Sequence, residues 1–424
     1  MRRRSLLISG AAAALARPWP VHAAEVELTF RYNDSDISLI RAALDAFEKE
    51  NPGVKVRAER ADWASALPNF LREAAVGSGP DLIHSANVWV KELAEAGAVL
   101  PLDDFTRPDP ATQALADFIT LDLAEYKGKV YGSPWTVDTF AMVYNTSLMK
   151  QAGISPFPKT WQELSAAVDA AHKSTGKAGF LLPCGSSAAN TIWFAANCWW
   201  WSHGQALIVK KPGGGYGLGL NAGDIAACID YFDGMIKDGT IPRDMLGVSA
   251  WGDPAVIEPM VSGDGLAILV PPANFKKVVA EWSKRHPGGT PPFASALVPR
   301  ASAKSTSILG GRMLVINADT RHKQECWKLV QFLSSQRFFT DFLTTQFPAE
   351  RRLLKDIKFG PGLQGYAAQL LQHARTWGPY SDGPVPIPTM WSEVGRDFGA
   401  TFIGQSTSRQ SAGRILSVIE QKLK

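Results

Sequence analysis

The sequence contains few of the residues from which catalytic and metal centres are built. Its 424 residues include four cysteines and seven histidines. The cysteine spacing fits no zinc pattern, and the sequence has neither an HExxH motif nor a G-x-S-x-G elbow. A glycosidase stays open, because its two carboxylates rarely lie in a readable motif. Asp138 is one candidate for such an acid, and the sequence shows no obvious second.

The cysteines do not define a disulfide framework. Cys228 and Cys326 lie on apolar faces of predicted helices, which favours buried thiols. Cys184 and Cys198 either form a disulfide or stay reduced, and their spacing does not decide between the two.

An excess of one charge and a long apolar run are also absent. The chain has 44 basic and 40 acidic residues, but four arginines and no acid lie within 1–23. The remainder is neutral, which does not favour nucleic acid or an anionic membrane surface as partner. The most apolar run, residues 191–201, has eleven residues. It is too short to cross a bilayer and suits a core helix or a pocket wall.

Residues 1–23 have the features of a secretory signal. They combine a basic start, a short apolar run and Val21-x-Ala23 before a cut. Arg3-Arg4 followed by "SLL" fits a twin-arginine export signal, and a Sec signal is the alternative. No cysteine lies near the cut, which argues against a lipoprotein. We therefore expect a mature protein free in a bacterial periplasm.

Alternating strand and helix patterns indicate α/β layers. A capping box, Thr160 with Glu163, opens another helix. The glycine-rich segment 211–220 has neither P-loop nor dinucleotide-binding spacing and predicts a hairpin turn. The predicted strands are 26–32, 54–59, 81–85, 265–270 and 307–319, and the predicted helices are 36–50, 66–76, 88–97, 223–239 and 321–336.

The stretch "YGSPWTVDTFAMVYN", residues 131–145, predicts a strand with two apolar faces. It nevertheless contains Trp135 after a proline and one carboxylate, Asp138. An unpartnered carboxylate inside a core is costly, so this stretch needs a special position in the fold.

Four segments together carry a specific resemblance. They are "FEKENPGVKV" (47–56), "GSGPDLIHSANVWVKELAEAGAVLPLDDF" (77–105), "YKGKVYGSPWTVDTFAMVYNTSLMKQAGISPFPKTWQEL" (126–164) and "STSILGGRMLVINADTRHKQECWKLVQFLSSQ" (305–336). The chain resembles the periplasmic solute-binding proteins of ABC importers, in the sugar-binding group that includes maltose-binding protein. The resemblance extends from about Val26 to the last helix.

The resemblance implies a two-lobed α/β periplasmic binding protein fold (type II), with a ligand cleft between lobes joined by three crossing segments. The N-terminal lobe would comprise 24–137 and about 311–358. The C-terminal lobe would comprise 138–310 and about 359–424. The stretch 131–145 would be the first crossing, which places Asp138 in the cleft, where a carboxylate accepts hydrogen bonds from sugar hydroxyls.

Further ligand contacts are carried over one position at a time. Asn33-Asp34 matches a ligand-contacting turn, Asn87 and Trp89 lie where the family places polar sugar contacts, and Trp391 matches a stacking tryptophan. The sequence departs from the group at 87–89, where an Asp-Arg pair is missing. It departs again after the strand 265–270, where Pro272 and Asn274 replace a stacking tryptophan. The ligand is therefore not expected to be maltose.

The other candidates are weighed on their own residue types. Trp135 is favoured as a pocket residue, and Trp193 and Trp251 fit a pocket or a core equally well. Gly310-Gly311 indicates close backbone approach to a ligand, with a strand bulge as the alternative. Arg312 either binds sugar hydroxyls or a phosphate, or forms a surface ion pair.

The sequence thus predicts the carbohydrate-binding component of an ABC importer, not an enzyme, without cofactor or metal. Its expected partners are a sugar, oligosaccharide or sugar alcohol and the permease subunits. We expect a monomer. A glycerol-3-phosphate-type ligand and a secreted carbohydrate-active enzyme are the alternatives.

Overall fold

The computed structural model describes residues 25–33, 37–61, 63–106, 117–185, 189–248, 250–343, 346–356, 359 and 362–424. The predicted export signal, residues 1–23, and Asp34 lie outside these ranges. Within them, no helix combines the length and apolarity that crossing a membrane requires.

The described part of the chain contains sixteen β-strands, which alternate with helices. They are β1 (Val26–Tyr32), β2 (Val54–Arg60), β3 (Leu82–Ala86), β4 (Glu125–Tyr126), β5 (Lys129–Val130), β6 (Ser133–Asp138), β7 (Ala141–Asn145), β8 (Ala178–Leu181), β9 (Ile208–Lys210), β10 (Tyr216–Leu218), β11 (Gly265–Val270), β12 (Phe293–Ala296), β13 (Ser307–Ile308), β14 (Gly310–Ile316), β15 (Phe347–Pro348) and β16 (Ala374–Arg375).

The α-helices connect these strands and form the C-terminal part of the chain. They are α1 (Ser38–Glu50), α2 (Trp63–Ala74), α3 (Val90–Glu95), α4 (Asp103–Thr106), α5 (Thr146–Gln151), α6 (Trp161–Thr175), α7 (Ala189–Ser202), α8 (Ala222–Lys237), α9 (Pro254–Ser262), α10 (Pro272–Arg285), α11 (Lys323–Leu333), α12 (Arg351–Asp356), α13 (Gln364–Gln372), α14 (Pro379–Asp382), α15 (Ile387–Phe402) and α16 (Ser408–Leu423).

The first lobe is built on a six-stranded sheet in the order β15-β6-β14-β3-β1-β2. β1 runs parallel to β2 and β3, whereas β14 is antiparallel to β3 and β6. Helix α1 covers the sheet with Ile40, Leu44 and Phe47, which share one helix face and are buried. This apolar stripe and the buried strand residues form the core of the lobe.

The second lobe is built on a four-stranded sheet in the order β12-β7-β11-β8. Every residue of β11, Gly265 to Val270, is buried. A strand buried on both faces reads as a continuous apolar run, which is why "GLAILV" predicted it. The aromatic helix α7 packs into the same core, as its apolar sequence predicted.

The stretch 131–145 is divided between the two lobes. β6 belongs to the first sheet and β7 to the second, with Thr139 and Phe140 between them. A second passage runs from β13 to β14 through Leu309. The exact boundaries of the two lobes stay a prediction.

Several local predictions are confirmed. Thr160 and Glu163 form the reciprocal capping box of α6. The glycine-rich segment lies in the hairpin of β9 and β10, where Gly214 and Gly215 have positive φ angles of 92° and 73°. Cys184 and Cys198 are both free and buried, so the disulfide alternative is wrong.

Candidate functional site

Four predicted site positions lie at one edge of the first sheet. Asn33 follows β1, Asn87 follows β3, Asp138 ends β6 and Gly310 begins β14. The strand directions place these four points at the same edge. In open α/β sheets, ligands bind beyond the carboxyl ends of the parallel strands. This edge is therefore the candidate site of the first lobe.

Asp138 is held by a neighbouring cation. Arg312 Nη1 lies 3.5 Å from Asp138 Oδ2, and the two side chains are 29% and 37% exposed. The same Nη1 donates to the Gly311 carbonyl at 3.2 Å. The structure thus shows an ion pair for Arg312, and it leaves the Asp138 carboxylate accessible to further donors.

The two glycines fit the steric needs of the paired strands. Gly310 is opposite Asp138, and a Cβ atom at Gly310 would lie 1.9 Å from Asp138 Oδ1. A Cβ atom at Gly311 would lie 2.6 Å from the Thr136 carbonyl oxygen. The ladder also shifts register between Arg312 and Met313, so the bulge alternative is present one residue later. Close approach here is between strands, and approach to a ligand stays a prediction.

Two buried asparagines carry unused hydrogen-bonding atoms. Asn33 Nδ2 donates to the His84 carbonyl at 2.6 Å, but its Oδ1 is buried without a hydrogen-bond partner among the described residues. Asn87 Nδ2 is likewise buried and has no hydrogen-bond acceptor in the part of the chain that the structure describes. An unsatisfied buried polar atom costs about 1–3 kcal/mol, which indicates that water or a ligand supplies the missing partners.

Trp89 borders this edge. It is half-buried, on the 3₁₀ turn Asn87–Trp89, and packs against a small apolar cluster of the first lobe. Its neighbour Val88 packs against the core of the second lobe, so the turn lies between the lobes.

Trp135 is not at the cleft, which corrects the prediction. It is 1% exposed, and its indole N–H donates to the Leu333 carbonyl at 2.8 Å. Its ring meets His84 edge-on with centroids 5.0 Å apart. A tryptophan whose apolar body and polar atom are both satisfied inside the core has nothing to offer a ligand.

His84 is buried beneath the site and was not among the residues predicted from the sequence. It stacks on Tyr32 with ring centroids 4.8 Å apart, directly beneath the edge. Complete burial lowers the pKa of His84 well below its ordinary value, and the positive charge of Arg312 lowers it further. A neutral imidazole therefore supports the edge. Its place in the apolar strand "DLIHS" was the available signal.

The second lobe contributes an aromatic wall, which we define as Phe140, Phe194, Trp251, Trp377 and Trp391. Phe140 stacks on Phe194 with centroids 4.6 Å apart and lies 4.9 Å from the Trp251 ring. Trp391 lies 5.8 Å from Phe194 and 6.2 Å from Trp377. Because Phe140 follows Asp138 by two residues, the wall begins where the carboxylate edge ends.

The indole N–H groups of the wall are not all used. Those of Trp251 and Trp391 are buried and have no hydrogen-bond acceptor within the part of the chain that the structure describes. Both side chains are half-buried. Trp193 lies behind the wall, fully buried, and stacks on Trp377 at 5.8 Å. It is placed to support the wall, not to touch a ligand.

Asn274 lies beside the aromatic wall, next to Gly252. It lies in the first turn of α10, and its Nδ2 would be 3.5 Å from a Cβ atom on Gly252, the residue after Trp251. The structure therefore brings Asn274 and Trp251 together, although 23 positions separate them in the chain. Phe140, Phe194 and Trp377 were not predicted, and the aromatic run 191–201 was the signal for Phe194.

A two-lobed α/β fold with polar groups on one side of the lobe junction and aromatic rings on the other defines a class of proteins that bind a solute between lobes. The chain belongs to the bacterial extracellular solute-binding protein family, whose sequence profile matches residues 33–337.

Individual relatives agree with this assignment. A Brucella abortus protein with no more specific name than binding protein is 26% identical over 292 residues, which is 68% of this chain and 66% of that protein. The match thus spans just under two thirds of the relative's length. A maltooligosaccharide ABC transporter solute-binding lipoprotein of Streptococcus pneumoniae is 29% identical over 41% of this chain and 39% of its own.

The fold has close counterparts among solved structures. An ABC transporter solute-binding protein of Thermotoga lettingae, bound with α-D-tagatose, superposes with a TM-score of 0.77 at 18% identity. The superposition covers 94% of this chain and 100% of that one. It confirms the two-lobed fold.

Proposed function

We propose that this protein is the substrate-binding component of a bacterial ABC importer that captures a carbohydrate in the periplasm and delivers it to the permease. The observation that carries the proposal is the pairing of an accessible carboxylate, Asp138, with the aromatic wall. Carbohydrates present both hydroxyl groups and apolar C–H faces. A carboxylate accepts from hydroxyls, and aromatic faces cover the C–H surface.

The proposed contacts divide between the lobes. From the first lobe, Asp138, Asn33, Asn87 and the backbone at Gly310-Gly311 would meet hydroxyl groups. From the second lobe, Trp251 and Trp391 would each supply an aromatic face and an indole N–H donor. Asn274 would supply a side-chain amide. Arg312 would orient Asp138. Asp34 and Trp89 stay predictions, and Trp135 and Trp193 are left out because they are buried in the lobes.

Two of the three compared proteins support this ligand class: the Streptococcus pneumoniae lipoprotein is named for maltooligosaccharides, and the Thermotoga lettingae structure holds tagatose. A glycerol-3-phosphate-type ligand is less favoured. Arg312, the cation on which that alternative rested, lies beside the Asp138 carboxylate, which would repel a phosphate.

A thermal-shift panel of monosaccharides, oligosaccharides, sugar alcohols and glycerol 3-phosphate tests the ligand class. A ligand at ~100 times its dissociation constant adds about 2.7 kcal/mol to the free energy of unfolding. We expect stabilisation by at least one neutral carbohydrate. Stabilisation by glycerol 3-phosphate alone would replace the proposal with the phosphate alternative.

Calorimetric titration of that carbohydrate into Asp138→Ala and Asp138→Asn tests the carboxylate. Each charge-assisted hydrogen bond is worth about 1.5–3 kcal/mol, so Asp138→Ala is expected to lose about two powers of ten in affinity, and Asp138→Asn less. The exposed pair with Arg312 contributes at most about 1 kcal/mol, so the ligand-free melting temperature should change little. Analysis of the recovered carbohydrate checks for catalysis, and cleaved product would identify an enzyme.

A further inference from the structure

A groove of about 720 Å³ lies on the second lobe, away from the proposed carbohydrate site. It adjoins β12, the edge strand of the four-stranded sheet. Its floor is apolar: Tyr144 and Phe157 stack with ring centroids 4.3 Å apart, and Val298 is buried beside them. Its lining shares no residue with the proposed carbohydrate contacts.

The rim of this groove is positively charged. Lys159, Arg300 and Lys304 line it and are exposed, and its lining contains no aspartate or glutamate. Within the described part of the chain, no acidic group lies within 4.0 Å of these three cations. By contrast, exposed Arg285 pairs with Glu258 at 2.6 Å.

The backbone fixes two of these cations side by side. Arg300 N donates to the Lys159 carbonyl at 2.8 Å, and Thr160 and Arg300 form a parallel bridge. The carboxylate of Glu163 lies close in sequence, but it accepts from the backbone N–H groups of Lys159 and Thr160 in the capping box of α6. That carboxylate caps the helix and also interacts electrostatically with Arg300, so it offsets part of the charge of the rim. With three cations against this one carboxylate, the rim keeps a net positive charge for an outside partner.

The apolar floor and the positively charged rim together define the chemistry of a partner that would fit this groove. The floor buries one large apolar side chain, and the rim attracts carboxylates on either side of it. We propose that this groove docks an acidic segment of a partner protein, in which carboxylates flank one aromatic or branched aliphatic residue. This docking is separate from carbohydrate capture, so a test of the docking can fail or succeed whether or not the proposed carbohydrate function is correct.

Fluorescence anisotropy with a labelled peptide of six glutamates around a central tryptophan tests the proposal. The full-length mature protein is expected to bind it about tenfold more tightly than the same peptide with alanine at the centre, since about 1.4 kcal/mol of apolar contact is lost. Equal binding of the two peptides would show a general charge effect and overturn the proposal.

Charge-reversal variants locate the interaction. The triple variant Lys159→Glu, Arg300→Glu, Lys304→Glu should weaken binding of the tryptophan peptide by at least about tenfold. The matched control is Lys150→Glu, Lys355→Glu, Lys422→Glu, which changes the net charge equally at exposed positions outside the groove. An equal loss in the control would overturn the proposal.

A third variant, Ala303→Trp, fills the groove and leaves its charges intact, so it should abolish the preference for the central tryptophan. Unchanged preference would place the peptide elsewhere. Competition by inorganic phosphate as effective as the alanine peptide would indicate a small-anion site instead. A dimer in sedimentation velocity that the triple reversal dissociates would make the occupant a second copy. Carbohydrate affinity measured on the same variants should stay unchanged.

Discussion

Gly310 lies directly opposite Asp138 in the paired strands β6 and β14. The carboxylate occupies the space where any other residue would place its Cβ atom, only 1.9 Å from Asp138 Oδ1. The position of a proposed ligand-binding group thus depends on the absence of a side chain across the ladder.

Gly310→Ala should displace the Asp138 carboxylate and weaken carbohydrate binding. Because the conflict is with the end of a half-exposed side chain that can turn away, the free energy of unfolding should fall by no more than about 1 kcal/mol. Titration calorimetry and chemical denaturation measure the two effects. The control is Gly234→Ala, in α8, where a Cβ atom meets nothing within 4 Å. That change should raise stability by about 0.5–1 kcal/mol. Unchanged affinity in Gly310→Ala would contradict the dependence of binding on the carboxylate position that Gly310 allows.

Trp391→Ala should weaken carbohydrate binding by roughly 2–4 kcal/mol if the ring is a central anchor of the site. It should also reduce the change in intrinsic fluorescence on binding. The matched control is Trp282→Ala, a tryptophan that stacks on His286 at 4.1 Å, outside the aromatic wall. An affinity within twofold of wild type for Trp391→Ala would remove this residue from the site.

The buried cysteines should resist modification in the native state. Burial raises the pKa of Cys198 and Cys326 to about 12 in each case. The reactive thiolate is therefore scarce at pH 8, and the sulfur atoms are also inaccessible. A thiol reagent should leave the native protein almost unlabelled and modify all four cysteines after denaturation. Rapid labelling of one native thiol would contradict this burial.

Lys276 should reduce stability at neutral pH. Burial lowers its pKa from 10.5 to about 8. Between these values the unfolded chain binds a proton that the folded chain has released, so the stability contributed at this position rises with pH. Lys276→Met should therefore raise the free energy of unfolding at pH 7 by about 1–3 kcal/mol.

The gain from Lys276→Met should shrink towards pH 10, where the folded protein already carries a neutral lysine. Chemical denaturation of wild type and variant at both pH values measures the difference. Lys150→Met, at an exposed position, is the control and should show no such trend. A gain that is equal at both pH values would mean that lost charge is not its cause.

The sequence predicted features that depend on neighbouring residues. Thr160 and Glu163 are three residues apart and cap the same turn, so their pattern suffices to predict the capping box. The buried strand β11 is an unbroken apolar run for the same reason. The lobe passage at Asp138 was implied by the family resemblance, whereas the residues alone showed only that a carboxylate in a strand with two apolar faces needs a special position.

Features that depend on distant partners were not predictable. Trp135 is a core residue because the Leu333 carbonyl, 198 positions away, accepts its N–H. Nothing adjacent to Trp135 shows whether an acceptor or a ligand meets the indole. The aromatic wall likewise joins residues from five separate segments, and only the folded chain shows that Phe140 and Trp377 belong to it.

The two short passages between the lobes lie side by side. Thr139 and Phe140 join β6 to β7, Leu309 joins β13 to β14, and Phe140 N donates to Ser307 Oγ at 3.2 Å. Two adjacent short links permit one lobe to rotate relative to the other about the line between the links, and they resist sliding of the lobes past each other. Points near a pivot move least. Asp138 adjoins these links, so its carboxylate should keep its position as the lobes open and close. Trp251 and Trp391 lie on the second lobe and should move with it.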